Sequence, residues 1–147
     1  MWELHRFDPR VTKDDAVVPP RLLYESSVVQ AEMVFDDVRT SALKRAIDAT
    51  VEGKTVLDIG AGTGLLSMFA AKAGARKIYA IEASGIIDIA EKIAEENGCS
   101  DKIEFIHGYS TQVELPEQCG VLVSEMIGHF GVEEDIVETF ADARRRL

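Results

Sequence analysis

The segment that most constrains the fold spans residues 56–74 and reads VLDIGAGTGLLSMFAAKAG. An apolar run containing one acid, Asp58, leads into three alternating glycines, Gly60, Gly62 and Gly64, and then into an alanine-rich stretch that ends in glycine. The apolar run predicts a buried strand, and the alanine-rich stretch predicts a helix with a glycine C-cap. A backbone this bare between strand and helix allows a ligand to approach closely. The segment therefore predicts a strand–turn–helix unit that carries a ligand site.

The alternation of strand and helix continues along the chain. Apolar patterns predict strands within residues 54–60, 76–84, 102–108 and 120–126, and helices within 65–74, 85–98 and 133–147. Apolar positions such as Val29, Met33, Ala42 and Ile47 recur at helical spacing and predict one or two amphipathic helices within residues 22–51. Short apolar strands alternating with helices specify parallel βαβ units. The fold class is therefore α/β, with a Rossmann-like, doubly wound parallel sheet.

A chain of 147 residues is long enough for one domain with a buried core. Residues 1–23 are predicted to form an N-terminal arm, and residues 24–147 to form the core. After the helix predicted at 133–147 the chain stops, although a doubly wound sheet normally continues with further strands. We therefore expect a core that lacks its last strands, with the fourth strand as an apolar edge. Such an edge favours a homodimer or a completing partner chain.

Composition excludes several functions. The chain carries 16 basic and 26 acidic residues, a net charge of −10, whereas nucleic-acid binding needs a basic face. No uninterrupted apolar stretch is long enough to predict a membrane span. The two cysteines form no C-x-x-C pair and no histidine cluster accompanies them, so neither a disulfide framework nor a metal site is predicted. Reduced thiols favour a cytoplasmic location.

The residues around the glycines indicate which ligand the turn binds. Leu65 stands where the dinucleotide pattern G-x-G-x-x-G requires its third glycine, and no Gly-Lys-Ser/Thr follows for a nucleotide phosphate. Asp58 would repel a phosphate but suits a ligand with ammonium and sulfonium charges, such as S-adenosylmethionine. Glu82, at the end of the second predicted strand, can accept both ribose hydroxyls, a role that also occurs in dinucleotide folds. The pattern favours S-adenosylmethionine, with NAD as the weaker alternative.

Three segments carry a specific resemblance: DDVRTSALKRAI at 36–47, the stretch from 56 to 84, and VLVSEMIGHFGVEEDI at 121–136. With them the chain from about residue 24 onward resembles class I S-adenosylmethionine-dependent methyltransferases, and more narrowly the catalytic core of protein arginine methyltransferases. The resemblance implies that Arg39 pairs with the methionyl carboxylate of the cofactor and that Met33 lies near its sulfonium. It also implies that Asp58 and Gly60 lie near the amino group and that Glu82 binds the ribose.

The same resemblance implies a catalytic pair of acids, Glu125 and Glu134, nine residues apart. Two carboxylates suit a guanidinium, which stays charged at neutral pH and presents a planar fork of donors. An alternative for Glu134 is purely structural, because acids in the first turn of a helix are stabilised by its macrodipole.

The chain departs from the family pattern at several positions. Thr111, with Ser110 before it, stands where the family has the acid that reads the adenine amino group, and Gln30 replaces a histidine, so the resemblance implies altered adenine contacts at Ser110 and Thr111. Met126 replaces an aromatic residue next to Glu125. His129 replaces a tyrosine of the acceptor site, and it is either a base or an ordinary loop histidine. These departures leave the acceptor open.

The resulting functional hypothesis is an S-adenosylmethionine-dependent methyltransferase of the protein-arginine-methyltransferase type. It would transfer a methyl group to a nitrogen nucleophile, with a guanidinium as one candidate acceptor. One alternative keeps the cofactor site but methylates a small molecule. The other is a non-catalytic, cofactor-binding module that a partner chain completes.

Overall fold

The computed structural model describes residues 27–126 and 136–147. The predicted arm at 1–23, and the candidate residues His129 and Glu134, lie outside the described residues. The four strands are β1 Thr55–Ile59, β2 Lys77–Glu82, β3 Ile103–His107 and β4 Val121–Ser124. The helices are α1 Ser27–Val34, α2 Asp37–Asp48, α3 Leu65–Lys72, α4 Ile87–Glu96 and α5 Ile136–Ala143, and a 3₁₀ turn covers Ser110–Gln112.

Each of these strands lies inside a segment where the apolar pattern predicted one. The helical region predicted at 22–51 contains two helices, α1 and α2. The two helices separate at Asp36, whose backbone is extended. The Asp36 side chain caps α2 by accepting a hydrogen bond from the Arg39 backbone N–H at 3.0 Å. This junction places Arg39 in the first turn of α2.

The four strands form one parallel sheet in the order β3-β2-β1-β4. Ile59 of β1 aligns with Ile81 of β2 on one side and with Ser124 of β4 on the other. The strands therefore end at a common edge, and the chain leaves β1 toward β2 but returns to β4 on the opposite side. A crevice between the loops after β1 and β4 is the usual ligand position in such a sheet.

The sheet order confirms the Rossmann-like α/β prediction. Within the described part of the chain, β4 forms one end of the sheet, as predicted, and its side chains are partly exposed.

The two faces of β1 pack against different clusters. Val56 belongs to a buried cluster that includes Met68, Ala70 and Ala71 of α3. Leu57 and Ile59 belong to a second cluster, on the face that also contains Ala143 of α5. Because side chains alternate along a strand, Asp58 lies on the same face as Val56, toward α3. The strand period thus directs an acid into the interface between the sheet and α3.

Candidate cofactor and catalytic site

The turn after β1 has the backbone that its glycines predict. Gly60, Gly62 and Gly64 have φ values of 70°, 54° and 76°, in the left-handed region that side chains other than glycine rarely adopt. The Gly60 N–H donates to the Ile81 carbonyl at 2.9 Å, and the Gly64 carbonyl accepts the Met68 N–H at 2.9 Å. The turn is therefore fixed to β2 at its start and to α3 at its end.

Three side chains lie directly against this turn. A Cβ atom added at Gly60 would lie 3.0 Å from Cγ of Met126, and one added at Gly62 would lie 3.1 Å from Oε1 of Gln30. At Gly64 the nearest atom would be Cε1 of Phe105, at 3.2 Å. Gln30 and Met126 are two of the positions at which the sequence departs from the family pattern, and both line the turn. No pattern in the sequence predicted the contact of Phe105 with Gly64.

Replacing Gly62 with alanine is expected to destabilise the fold by about 1–2 kcal/mol, because an L-residue is strained in the left-handed region. The new methyl group would also press on Gln30 at 3.1 Å. Thermal or urea unfolding of the ligand-free protein measures the change. Gly85→Ala is the matched control, since no atom lies within 4 Å of its added Cβ and its φ is outside the left-handed range. Equal losses in the two variants would contradict the strain argument.

Asp58 is fully buried beside the turn. Its Oδ2 accepts a hydrogen bond from Oγ of Ser67 at 2.7 Å, whereas Oδ1 has no hydrogen-bond partner in the structure. Burial raises the pKa of Asp58 from 3.8 to about 7; the Ser67 hydrogen bond lowers it, and the charge of Glu82 raises it further. Because the folded-state pKa lies above the unfolded value, the protonated carboxyl's contribution to stability is fully present below about pH 4. That contribution is lost as the pH rises through about 7.

Glu82 connects the end of β2 to the glycine turn. Its Oε2 accepts the Gly62 N–H at 2.9 Å, and its Oε1 accepts the Ser84 N–H at 2.8 Å. Glu82, which the sequence predicts to bind the ribose, is thus in direct contact with Gly62, which belongs to the turn that the sequence predicts to receive the ligand. Both oxygens of the carboxylate are held at the carboxyl edge of the sheet.

An ion pair connects the α1–α2 junction with the end of β4. Nη2 of Arg39 pairs with Oε2 of Glu125, and Nη1 of Arg39 donates to the carbonyl of Met33 at 2.8 Å. Both charged side chains are partly buried. The structure therefore brings together three predicted site residues, two of them six positions apart in the chain and the third, Glu125, 86 positions beyond Arg39. The sequence did not predict the pairing of Arg39 with Glu125, because it assigned one to the cofactor and the other to the acceptor.

Ser110 and Thr111 lie in the 3₁₀ turn that follows β3, with Ser110 buried and Thr111 exposed. This segment is adjacent to the end of β2, because the Gly108 N–H donates to the Glu82 carbonyl at 2.9 Å. Arg146 donates to the carbonyl of Ser110 at 2.5 Å and to that of Val113 at 2.6 Å. Arg146 thus fixes the turn from the end of α5. The sequence presents it only as one of three consecutive arginines.

Within residues 27–126 and 136–147, no group of three or more His, Cys, Asp or Glu side chains is arranged to hold a metal ion. None of the helices described combines the length and the apolar character that crossing a membrane requires.

A parallel α/β sheet with a glycine turn after its central strand and an acid at the end of the neighbouring strand defines a Rossmann-like protein of the nucleoside-binding class. Within that class, the chain belongs to the methyltransferase domain family, whose profile matches residues 56–147.

Individual relatives support the narrower resemblance to protein arginine methyltransferases. The chain is 44% identical over 124 residues to protein arginine N-methyltransferase 6 of Danio rerio, which covers 82% of this chain and 36% of the relative. It is also 44% identical over 121 residues to the histone-arginine methyltransferase CARMER of Drosophila ananassae, covering 80% of this chain and 23% of the relative. The chain therefore spans about a third or less of the curated relatives it matches.

Solved structures agree. Protein arginine methyltransferase 10 of Arabidopsis thaliana superposes with a TM-score of 0.80 at 37% identity, covering 85% of this chain and 37% of that chain. The Trypanosoma brucei PRMT1 enzyme–prozyme heterotetramer with AdoHcy gives a TM-score of 0.79 at 37% identity, covering 84% of this chain and 40% of that chain. The predicted fold and family resemblance are confirmed.

Proposed function

We propose that the chain binds S-adenosylmethionine at the carboxyl edge of the sheet, between the glycine turn and Glu82. The observation that carries this proposal is the hydrogen bond of 2.9 Å from the Gly62 N–H to the Glu82 carboxylate. It puts an acceptor for ribose hydroxyls directly beside the turn. A negative charge at that point disfavours a phosphate, which is the group that a dinucleotide would bring to the turn.

The amino-acid part of the cofactor carries an ammonium and a carboxylate, so its site needs both an acid and a base. Asp58 lies beside the turn on one side, and Arg39 lies at the α1–α2 junction, paired with Glu125 near the end of β4. The match to the methyltransferase domain family, and the AdoHcy present in the Trypanosoma brucei relative, support this assignment. The contributions of Met33, Ser110 and Thr111 to binding stay predictions from the resemblance.

The test is ligand-dependent stability. At a concentration of 100 times its Kd, S-adenosylhomocysteine should stabilise the folded protein by about 2.7 kcal/mol, a shift of several degrees in Tm. NAD at the same concentration should give a much smaller shift, because its pyrophosphate meets the carboxylates of the turn. Differential scanning fluorimetry, followed by calorimetry with each ligand, measures both. Stronger stabilisation by NAD would overturn the proposal.

For the reaction we propose methyl transfer to a nitrogen nucleophile, with a protein arginine guanidinium as the leading acceptor. The bound cofactor supplies an electrophilic methyl group on its sulfonium. Glu125, and Glu134 by the resemblance, would hold the charged guanidinium by two-pronged hydrogen bonds so that one nitrogen faces that methyl group. As the new N–C bond formed, the bond between the methyl group and sulfur would break, S-adenosylhomocysteine would be the leaving group, and the attacking nitrogen would release one proton to solvent. Positioning within a water-poor site accounts for most of the acceleration.

The relatives named as arginine methyltransferases support the guanidinium acceptor, and the identity of its carrier remains part of the proposal. Met126, which lies against Gly60, stands where the family has an aromatic residue, and this departure keeps a small-molecule acceptor as the alternative. Parallel assays with arginine peptides and with small amines distinguish the two acceptors. A third hypothesis, a non-catalytic module, requires cofactor binding without transfer to either.

We also infer a cytoplasmic location, which the two free, buried cysteines support. Pairing of a second chain along β4 is our proposal for the partner, and size-exclusion chromatography with light scattering tests it.

A further inference from the structure

We propose that Ser67 is a positioning residue that holds Asp58 for the amino group of the cofactor, and that cofactor binding releases a proton from Asp58. This inference rests on the proposed function, because it concerns the same ligand at the same turn. It adds a residue that neither the glycine pattern nor the family resemblance singled out.

The geometry of the pair is fixed by two neighbouring elements. The period of β1 directs Asp58 toward α3, and Ser67 lies in the first turn of α3, three residues after Gly64. Both side chains are completely inaccessible to solvent, and Oγ of Ser67 donates to Oδ2 of Asp58 at 2.7 Å. A buried carboxyl held by the hydroxyl and the backbone of Ser67 has little rotational freedom, so the position of Oδ1 is set by Ser67.

Oδ1 of Asp58 is the unsatisfied atom of the pair. A buried polar atom without a partner costs free energy, and a buried negative charge without a cation costs more. An ammonium beside Oδ1 would supply both the hydrogen bond and the opposite charge. The ammonium of a zwitterionic amino acid bound at the glycine turn is therefore a suitable hydrogen-bond donor for Oδ1 of Asp58.

The charged surroundings of Asp58 favour its neutral form in the ligand-free protein. Its neighbours in register are Ala80 of β2 and Val123 of β4, which carry no charge. From α3 the hydroxyl and the backbone of Ser67 favour the carboxylate, and from the end of β2 the negative charge of Glu82 opposes it, while no cation of the described residues lowers its pKa. That pKa of about 7 means that much of the protein carries a protonated Asp58 below neutral pH. An ammonium bound beside it stabilises the carboxylate, so the proton must leave.

Calorimetry of S-adenosylhomocysteine binding in two buffers with different ionisation enthalpies counts the protons released. For the wild type, we expect the release of about one proton per site near pH 6, and we expect this number to fall toward zero near pH 8.5. 5′-Methylthioadenosine, which lacks the amino-acid part, should bind without this release. Asp58→Asn should abolish the release that accompanies binding of S-adenosylhomocysteine.

Ser67→Ala separates the positioning role from packing. Loss of the hydroxyl removes a hydrogen bond that favours the carboxylate and so raises the pKa of Asp58 in the free protein. The pH at which the number of protons released per site falls to half its maximum should therefore move upward. Affinity near pH 7 should fall several-fold, and most of this loss should disappear at high pH. Ser67→Thr retains the hydroxyl and should restore the wild-type profile, whereas a purely structural role for Ser67 would weaken binding equally at every pH.

The outcomes are distinguishable. Binding of S-adenosylhomocysteine by the wild type without pH-dependent proton release would overturn this inference and leave the proposed function standing. An unchanged release profile in Ser67→Ala would overturn the role of Ser67. Failure of the wild type to bind S-adenosylhomocysteine at all would overturn the proposed function and this inference with it.

Discussion

Glu82→Ala is expected to weaken binding of S-adenosylhomocysteine by about 100-fold. In the proposed binding mode the change would remove two charge-assisted hydrogen bonds to the ribose, worth together about 3 kcal/mol. It also releases the Gly62 and Ser84 N–H groups, which Glu82 holds at 2.9 Å and 2.8 Å. Isothermal titration calorimetry measures the affinity, and a thermal melt of the ligand-free variant separates loss of binding from loss of the turn.

Glu104→Ala is the matched control for that experiment. Glu104 is an exposed acid on β3 that forms an ion pair with Lys77 at 2.9 Å, away from the glycine turn. Its removal should leave the affinity within about twofold, because exposed ion pairs contribute little and this one does not face the site. If Glu82→Ala bound the ligand as well as Glu104→Ala does, the ribose role of Glu82 would be wrong.

Glu125→Gln is expected to lower methyl transfer to an arginine peptide by about 10²–10³-fold, the usual loss when one preorganised charged group at a reacting centre is neutralised. Affinity for S-adenosylhomocysteine should be retained or increased, since Arg39 would no longer be held by the Glu125 carboxylate. A radiolabelled methyl-transfer assay, together with calorimetry, gives both quantities. A parallel loss of turnover and cofactor affinity would instead point to a structural role for Glu125.

Glu114→Gln serves as the control for Glu125→Gln, because it makes the same change of carboxylate to amide on an exposed side chain. Its turnover should match that of the wild type. A comparable loss of turnover there would mean that net charge, rather than the position of Glu125, governs the reaction.

Local patterns in the sequence were sufficient to predict the sheet and the glycine turn. Buried parallel strands are apolar along their whole length, and a left-handed turn demands glycine, so both leave a direct record in the sequence. The placement of Glu82 beside Gly62 followed from the same pattern, because parallel strands end at one edge. Here the prediction needed only strand direction and strand order.

Contacts between distant segments could not be predicted in the same way. The ion pair of Arg39 with Glu125 joins residues that are 86 positions apart in the chain. The hydrogen bond from Arg146 to the Ser110 carbonyl depends on where α5 packs. The resemblance marked Arg39 as a cofactor residue but did not pair it with Glu125, and nothing in the sequence distinguishes Arg146 from an ordinary surface arginine. Likewise, the sequence predicted Asp58 as a site acid, but its complete burial depends on α3 covering that face of the sheet.

The period of two residues along β1 has a consequence for how this protein can vary. One residue inserted or deleted between Thr55 and Asp58 would move the acid to the opposite face of the sheet. There it would lie in the apolar cluster that contains Leu57 and Ile59, out of reach of Ser67. Changes of side-chain size in β1 can be absorbed by repacking, whereas changes of its length cannot. Apart from Asp58, the segment is therefore expected to tolerate apolar substitutions that conserve volume, but not insertion or deletion.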